Sequence, residues 1–229
     1  IESPFKSNRF KESISSANDV ASGDLNGDGY IDIFVVSEDY RHQVYFNNSQ
    51  TIFKPSDQAL STKEGSKVIL EDLDNDGDLD AWVGLASYDY DQIYLNDGSG
   101  HFDLVNENIT NMTEFSTHFI VAADIDNDGD IDVIRTTSDN SRFLYRNNGS
   151  GIFTEEVLSI NFEHAAMADY DSDGFLDLWT LNGSLTIFLN DKQGHFDDSR
   201  TISNNGGSAI GITVADIDND GDLDVQGYT

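Results

Sequence analysis

Apolar residues along this chain come in short stretches of about four to six residues, separated by turns rich in Asp, Asn and Gly. One stretch, such as Val68–Leu70, precedes each Asp-rich segment, and another, such as Ile31–Val36, follows it. A third stretch, such as Gln92–Leu95, ends in a turn of the Asn-Asp-Gly type, and a fourth begins at a Phe such as Phe102. Short apolar runs bounded by such turns are typical of β-strands, and no stretch has helical periodicity. We name the four predicted strands of each unit A, B, C and D.

The whole unit repeats five times. The Asp-rich segments begin at Asp24, Asp72, Asp124, Asp169 and Asp216, at spacings of 48, 52, 45 and 47 residues. This period suits one four-stranded antiparallel blade, so the sequence predicts an all-β fold and a β-propeller. We expect a single domain over residues 1–229, with repeats at about 3–50, 51–99, 100–150, 151–194 and 195–229.

The two ends of the repeat array leave the ring size open. Ser3–Lys6 aligns with Thr51–Lys54, so the chain is expected to begin on a D strand, and it closes just after a fifth B strand. One C strand is missing from the count. Either a five-bladed ring closes one strand short, or the chain is part of a larger propeller, of seven blades for example, within a longer parent chain or an assembly. An unpaired sheet edge favours the second reading.

Each Asp-rich segment is a nine-residue loop with the chemistry of a calcium site. Ca²⁺ takes six to eight hard oxygen ligands in loose geometry. Carboxylate or amide side chains at positions 1, 3, 5 and 9, with the backbone carbonyl of position 7, can supply them, and Gly at position 6 permits the bend. We therefore predict up to five Ca²⁺ ions. The candidate ligands are Asp24, Asn26, Asp28, Tyr30 and Asp32; Asp72, Asp74, Asp76, Asp78 and Asp80; Asp124, Asp126, Asp128, Asp130 and Asp132; Asp169, Asp171, Asp173, Phe175 and Asp177; Asp216, Asp218, Asp220, Asp222 and Asp224.

Two other interpretations fit these loops less well. The EF-hand shares the opening pattern but requires Glu at position 12 between two helices. Position 12 is occupied here by Val35, Val83, Arg135, Thr180 and Gly227, and the flanks are strand-like. A purely polar turn could explain one copy, but not five copies that each keep Asp at positions 1, 5 and 9.

The charge distribution agrees with a metal-binding interpretation. The net charge is −31, and 22 of the 43 acidic residues lie in the five loops, so five Ca²⁺ ions would reduce it to −21. Such a charge argues against nucleic acid as a partner. There is no cysteine, which excludes disulfides and thiolate metal sites, and no apolar run is long enough to span a bilayer.

The loops and the tails that follow them resemble a known family. The pattern D-x-[DN]-x-D-G-x-x-D between strands, followed by a tail such as Tyr94-Leu-Asn-Asp-Gly-Ser-Gly-His-Phe102, resembles the FG-GAP/VCBS repeat. That repeat is found in integrin α-subunit propellers, bacterial adhesins, fungal lectins and polysaccharide-lyase accessory domains. The resemblance implies a β-propeller with Ca²⁺ in its A–B loops, in a secreted or cell-surface protein. It does not identify the partner, which we expect to be an extracellular protein or a glycan.

Other residues are weaker candidates for function. Tyr40, Tyr88 and Tyr90 lie in connections expected on the face opposite the calcium loops, where they could contact a ligand. Trp82 and Trp179 occupy equivalent strand B positions and are expected in the core. Five sequons in predicted loops or turns are candidate glycosylation sites: Asn47, Asn108, Asn111, Asn148 and Asn182.

The function expected from these features is a calcium-stabilised, non-catalytic adhesion or recognition module. Three alternatives stay open: a lectin-like propeller or an accessory domain of a polysaccharide-degrading enzyme, a repeat subunit of a surface filament, and a catalytic propeller. The last has no specific acid–base pair in its favour, although a Ser–His–Asp triad can assemble from residues distant in sequence.

Overall fold

The computed structural model describes residues 16–38, 42–48, 53–61, 63–87, 89–105, 109–110, 114–202, 211–218 and 223–228. These residues form 19 β-strands in five sheets, which we number as blades 1 to 5. Blade 1 contains β1 (Ala17–Gly23), β2 (Asp32–Ser37), β3 (Gln43–Asn47) and β4 (Phe53–Pro55). Blade 2 contains β5 (Gly65–Glu71), β6 (Asp80–Leu85), β7 (Gln92–Asn96) and β8 (Phe102–Leu104).

The remaining strands continue the same order. Blade 3 contains β10 (Thr117–Ala123), β11 (Asp132–Thr137), β12 (Arg142–Asn147) and β13 (Phe153–Val157), together with the short β9 (Ile109–Thr110). Blade 4 contains β14 (His164–Ala168), β15 (Asp177–Leu181), β16 (Leu185–Leu189) and β17 (Asp198–Ile202). Blade 5 is described as the pair β18 (Gly211–Ala215) and β19 (Asp224–Tyr228).

The predicted propeller of antiparallel blades is confirmed. In blades 1 to 4 the strands A, B, C and D pair with their neighbours in chain order, as successive hairpins require. The A strands β1, β5, β10, β14 and β18 contact one another in sequence and so line the inside of the arc. None of the described residues forms a helix that is long and apolar enough to cross a membrane.

The core lies between blades. The strand B aromatic of one blade packs edge-on against the first Phe of strand D in the next: Phe34 lies 5.4 Å from Phe102, and Trp82 lies 5.1 Å from Phe153, measured between ring centroids. Trp82 and Trp179 are 0% and 2% exposed. The apolar side chains predicted for strand B therefore pack between neighbouring blades, and each blade needs its neighbour to bury them.

Blades 2 and 3 also share a buried polar cluster, which we call the Asp91–Arg135 network. Nε of Arg135 lies 3.2 Å from Oδ2 of Asp91, and both side chains are fully buried. Asp91 also accepts hydrogen bonds from Nε1 of Trp82 at 2.9 Å and from the hydroxyl of Thr117 at 2.8 Å. Nη1 of Arg135 donates to the hydroxyl of Tyr145 at 3.1 Å. A buried ion pair thus joins the two sheets, whereas blades 1 and 2 have the apolar Val35 and Val83 at the position of Arg135.

The observed strands differ from the predicted ones at two places. The fourth strand of blade 4 begins at Asp198, two residues after the expected Phe196. Strand β9 was not predicted at all; it lies parallel to the outer strand β13 and adds a fifth strand to blade 3. The expected opening D strand at Ser3–Lys6 lies outside the described residues.

Candidate metal sites

Loops 1 to 4 each make their turn through two residues with left-handed backbone. In loop 2 these are Asn75 at position 4, with φ of 62°, and Gly77 at position 6, with φ of 97°. Gly, Asn and Ser at position 4 and Gly at position 6 adopt such angles at lower cost than most residues. The sequence pattern predicted the bend at position 6 only, although the residues at position 4 (Gly27, Asn75, Asn127 and Ser172) also favour left-handed backbone.

The first Asp of the loop holds this turn together. Oδ1 of Asp72 accepts a hydrogen bond from the backbone N–H of Asp76 at 3.1 Å, and Oδ2 accepts one from Gly77 at 3.0 Å. Loops 1, 3 and 4 repeat both bonds with Asp24, Asp124 and Asp169. Position 1 therefore serves the fold of the loop as well as a candidate cation.

The last Asp of the loop is buried at the start of strand B. Asp80 is 0% exposed; its Oδ2 accepts from the N–H of Leu73 and its Oδ1 from the N–H of Asn96, both at 2.8 Å. Burial raises the pKa of Asp80 to about 7, although the two hydrogen bonds act in the opposite direction, and the pKa of Asp132 is likewise raised to about 7. A buried carboxylate with raised pKa is poorly accommodated as a lone anion and gains from a neighbouring cation.

In four of the five loops the structure brings three of the predicted carboxylates together, whereas Asp76, Asp132 and Asp173 lie outside these groups. In each, one oxygen from each of three side chains lies within 4.8 Å of the other two. The groups are Asp72, Asp74 and Asp80; Asp124, Asp126 and Asp128; Asp169, Asp171 and Asp177; and Asp216, Asp218 and Asp224. Loop 1 has only Asp24, Asp28 and Asp32 as acids because Asn26 occupies position 3. Asp220 and Asp222 of loop 5 lie outside the described residues.

Position 3 carries the observation that best fits a cation. Oδ1 of Asp74 and Oδ1 of Asp126 are buried and have no hydrogen-bond partner. Burial and the neighbouring carboxylates raise the pKa of both side chains. A buried, unpaired carboxylate oxygen is costly, and a bound cation would compensate that cost. The donor set consists of hard oxygens, which suits Ca²⁺.

The side chains at position 7 have a packing role that the sequence analysis did not assign. The carboxylates of Asp78 and Asp130 lie against Gly98 and Gly149 of the C–D turns, where an added Cβ would come within 2.4 and 2.6 Å of them. In blade 4, Phe175 replaces this Asp and Lys192 replaces the Gly, and the Lys192 ammonium lies 5.3 Å from the Phe175 ring centroid. Tyr30 of loop 1 is 45% exposed.

Neighbouring loops are linked through the Asn that ends each C strand. Nδ2 of Asn96 donates to the carbonyl of Leu25, in the loop of the preceding blade, at 2.9 Å, and to that of Leu79 in its own loop at 3.1 Å. Asn147 and Asn190 make the equivalent bonds to the preceding loops. Loops 1 to 3 are therefore each fixed to the next blade, so a change in one of these loops affects a blade interface.

The predicted ligand face is only partly described. Tyr90 is 47% exposed, and its hydrogen bond with Glu114 raises its pKa, whereas Tyr40 and Tyr88 lie outside the described residues. The role of Tyr90 in ligand binding stays a prediction.

Of the candidate glycosylation sites, Asn148 and Asn182 are exposed in turns, and Asn108 and Asn111 lie outside the described residues. The sequence suggested that Asn47 lies in a loop or turn, and this expectation is wrong. Asn47 is the last residue of β3, where its N–H donates to Asp32, because the C strand extends to the Asn that contacts the loop.

Comparison with protein families connects these loops to a known repeat. The profile of the FG-GAP-like repeat matches four times, over residues 24–83, 72–135, 124–180 and 169–225. Each match begins at one Asp-rich loop, includes the next Asp-rich loop and ends in the B strand that follows it. The chain belongs to the FG-GAP-like repeat family. The four overlapping matches cover the same repeats that the loop spacing predicted. No curated protein sequence gives a significant match.

Several solved structures share the fold. BBS1N, in a crystal structure of its complex with ARL6DN, is 14% identical with a TM-score of 0.56, covering 87% of this chain and 62% of that one. The biofilm matrix protein Bap1 of V. cholerae is 20% identical with a TM-score of 0.51, covering 92% and 34%. The Tc holotoxin pore of Photorhabdus luminescens is 17% identical with a TM-score of 0.50, covering 90% and 10%. The chain thus spans less than two thirds of each of these proteins, and identities this low show the fold alone.

Proposed function

We propose that this FG-GAP-like propeller is a calcium-stabilised, extracellular recognition module with no catalytic activity, in which Ca²⁺ has a structural role. The observation that carries the proposal is the recurrence of a three-carboxylate cage in loops 2 to 5, together with the buried, unpaired Oδ1 atoms of Asp74 and Asp126 at position 3. Up to five ions would be held, with loop 1 weakened by the neutral Asn26. Bound there, Ca²⁺ would supply positive charge to each cage.

The energetics favour an ion as a structural part of the blade. Carboxylate oxygens within 4.8 Å of one another repel, and the partly buried setting strengthens the repulsion relative to water. The loops also hold the next blade through the Asn96-type hydrogen bonds, so relieving the repulsion stabilises blade interfaces as well as the turns. An ion that binds only the folded state adds to stability by linkage at every loop.

Two considerations support a recognition role and an extracellular location: the family to which the chain belongs and the composition of the chain. Repeats of this family build binding surfaces in extracellular proteins, and the absence of cysteine leaves metal ions as the staples in place of disulfides. The acidic surface favours a protein or glycan partner over nucleic acid. The fold alone does not decide the ligand.

The proposal is tested by calcium removal. Saturating Ca²⁺ at about 100 times its dissociation constant contributes about 2.7 kcal/mol per site. Each kcal/mol corresponds to about 2–4 °C in a chain of this size, so EDTA should lower the melting temperature by well over about 10 °C. Mg²⁺ at the same concentration is the control and should restore less, because it demands a stricter octahedral geometry. An unchanged melting temperature after chelation would refute the structural role of calcium.

A second candidate function, carbohydrate binding, is favoured by one specific observation. The face opposite the calcium loops carries a cleft of about 790 Å³ between the connections of blades 3 and 4. Its lining is mixed amide and apolar, which is common in ligand sites.

A further inference from the structure

The cleft lies at the end of the blades remote from the Asp-rich loops. Its walls are the B–C turns of blades 3 and 4 and the connection from β13 to β14. Because A–B turns and B–C turns occupy opposite ends of an antiparallel sheet, a ligand here would not touch the metal sites. The volume of about 790 Å³ falls within the range of small-molecule sites.

Three side-chain amides point to the kind of ligand. Asn140, Asn161 and Asn182 line the cleft and are exposed. Within the described part of the chain, their side-chain amides make no hydrogen bond to another protein group. Each amide offers two donors and one acceptor, so the three can pair with a ligand that carries many neutral polar groups.

The rest of the lining supplies apolar surface. Val157, at the end of β13, is 72% exposed, and Ile160 and Phe115 are partly buried beside it. An apolar side chain exposed to this degree next to free amides presents surface that a ligand with C–H faces would cover favourably.

The charged groups of the cleft argue against an ionic ligand. Arg142 is 6% exposed, and Nε donates to the carbonyl of Phe162 at 2.9 Å while its other nitrogens donate to Phe162 and Asn140 carbonyls. Its guanidinium is therefore already engaged, and Glu163 adds a negative charge nearby. An anion would meet an acidic protein with no available cation in this cleft.

We propose that the cleft binds a neutral saccharide, whose hydroxyl groups pair with Asn140, Asn161 and Asn182 and whose C–H faces pack on Val157 and Phe115. The inference rests on the recognition function proposed above and assigns it a ligand class and a position. Neutral peptides, which also offer donors and acceptors, are the main competing occupant.

The test uses the full chain made in bacteria, so that Asn182 carries no glycan, in millimolar Ca²⁺. An array of neutral oligosaccharides of glucose, galactose, mannose and N-acetylglucosamine identifies a binder, and calorimetry measures its affinity. Asn161→Ala and Asn182→Ala should each weaken binding about tenfold, through loss of the amide hydrogen bonds. Asn148→Ala removes an exposed amide at the other end of blade 3 and should leave affinity within about twofold.

A flat array, or affinity that neither cleft variant reduces, overturns the saccharide assignment, and so does capture of neutral peptides in place of sugars. The melting temperatures of all variants with and without EDTA are measured in parallel. If they still fall on chelation, the calcium-stabilised module stands and only the cleft assignment fails.

A second inference comes from an independent feature, the residue before the Asn that ends each C strand. Phe46, Leu95 and Arg146 occupy this position in blades 1, 2 and 3. Each side chain packs on the last Gly in the C–D turn of the following blade. In blade 4 this residue is Gly194, where an added Cβ would lie 2.3 Å from Nη1 of Arg146. Blade 3 thus places a cation where the two preceding blades place apolar groups.

The guanidinium of Arg146 reaches the carboxylates of loop 3. Nη1 lies 3.2 Å from Oδ2 of Asp126 and 3.6 Å from Oδ2 of Asp132, while Nη2 donates to the carbonyls of Gln193 and Gly194 at 3.0 Å. Asp132 is 2% exposed, and its Oδ2 has no hydrogen-bond partner, whereas the equivalent oxygen of Asp80 accepts from a backbone N–H.

We infer that Arg146 is a built-in counter-cation, which stabilises loop 3 without metal and makes it a weaker calcium site than loop 2. An arginine within hydrogen-bonding distance of a carboxylate favours its charged form and competes with an ion for the same oxygens. The inference rests on calcium binding by the loops, and it predicts that the five sites are not equivalent.

A reciprocal swap tests this inference. Arg146→Leu gives loop 3 the residue of blade 2 and should tighten one class of Ca²⁺ sites about tenfold in calorimetry while lowering the melting temperature in EDTA. Leu95→Arg should do the reverse at loop 2 and weaken one class of sites. Weaker or unchanged calcium binding by Arg146→Leu overturns the inference, and so does unchanged binding by Leu95→Arg; no calcium binding by the unmodified chain would instead refute the proposed function.

Discussion

Removing Asp91 is the sharpest test of how the blades are held together. Asp91→Ala deletes the carboxylate that faces Arg135 at 3.2 Å and that accepts hydrogen bonds from Trp82, Thr117 and the N–H of Leu85. All of these groups are buried, so the donors lose their acceptor away from bulk solvent. The variant therefore leaves a buried guanidinium uncompensated between blades 2 and 3.

The magnitude follows from that burial. Removing one partner of a buried ion pair costs about 3–5 kcal/mol, mainly because the other charge stays behind unpaired. At about 2–4 °C per kcal/mol, the melting temperature should fall by roughly 10 °C. Asp89, two residues earlier, forms an ion pair with Lys63 at 2.7 Å, but both side chains are over 30% exposed. Asp89→Ala should therefore cost less than about 1 kcal/mol and serves as the matched control.

The assay is urea unfolding in saturating Ca²⁺, followed by tryptophan fluorescence, because Trp82 donates directly to Asp91. The double variant Asp91→Ala/Arg135→Met should recover part of the lost stability, since it removes the stranded charge along with its partner. If Asp91→Ala loses no more than Asp89→Ala, or if Arg135→Met restores nothing, the account of an essential buried pair is wrong.

Three further predictions concern the loops. Asp76→Ala should lower calcium stoichiometry by one and reduce the melting temperature more than the exposed Asp57→Ala; equal effects in calorimetry and thermal melts would argue against Asp76 as a ligand. Asn96→Ala removes the side-chain hydrogen bonds to Leu25, Leu79 and the N–H of Gly100 and should cost about 2–3 kcal/mol in urea unfolding, and a cost below about 0.5 kcal/mol would contradict its linking role. In EDTA the protein should lose stability as pH rises from 4 to 8, because the pKa values of Asp80 and Asp132 are raised to about 7 in the fold, so the folded state binds more protons than the unfolded state in that range. Thermal melts that show rising stability over this range would contradict that sign.

The sequence by itself determined the local structure. Gly at position 6 and Asp at position 1 make the same turn in loops 1 to 4, because the required φ angles and the hydrogen bonds that the Asp72-type carboxylates accept involve residues at most five apart. The strand pattern and the period of the repeat then predict the blade, since four short strands joined by tight turns pair in order. The candidate ligands could be named for the same reason: they lie within nine consecutive residues.

Only the tertiary structure decided what lies between the repeats. Asn96 donates to Leu25, which is 71 residues away in sequence, and Arg135 pairs with Asp91, which is 44 residues away. No local sequence pattern predicts either contact. The parallel pairing of β9, the reach of Arg146 into loop 3 and the amide cleft depend in the same way on the relative placement of side chains from separate segments. Local chemistry fixes turns and strands, whereas contacts between blades exist only once the sheets pack around a common axis.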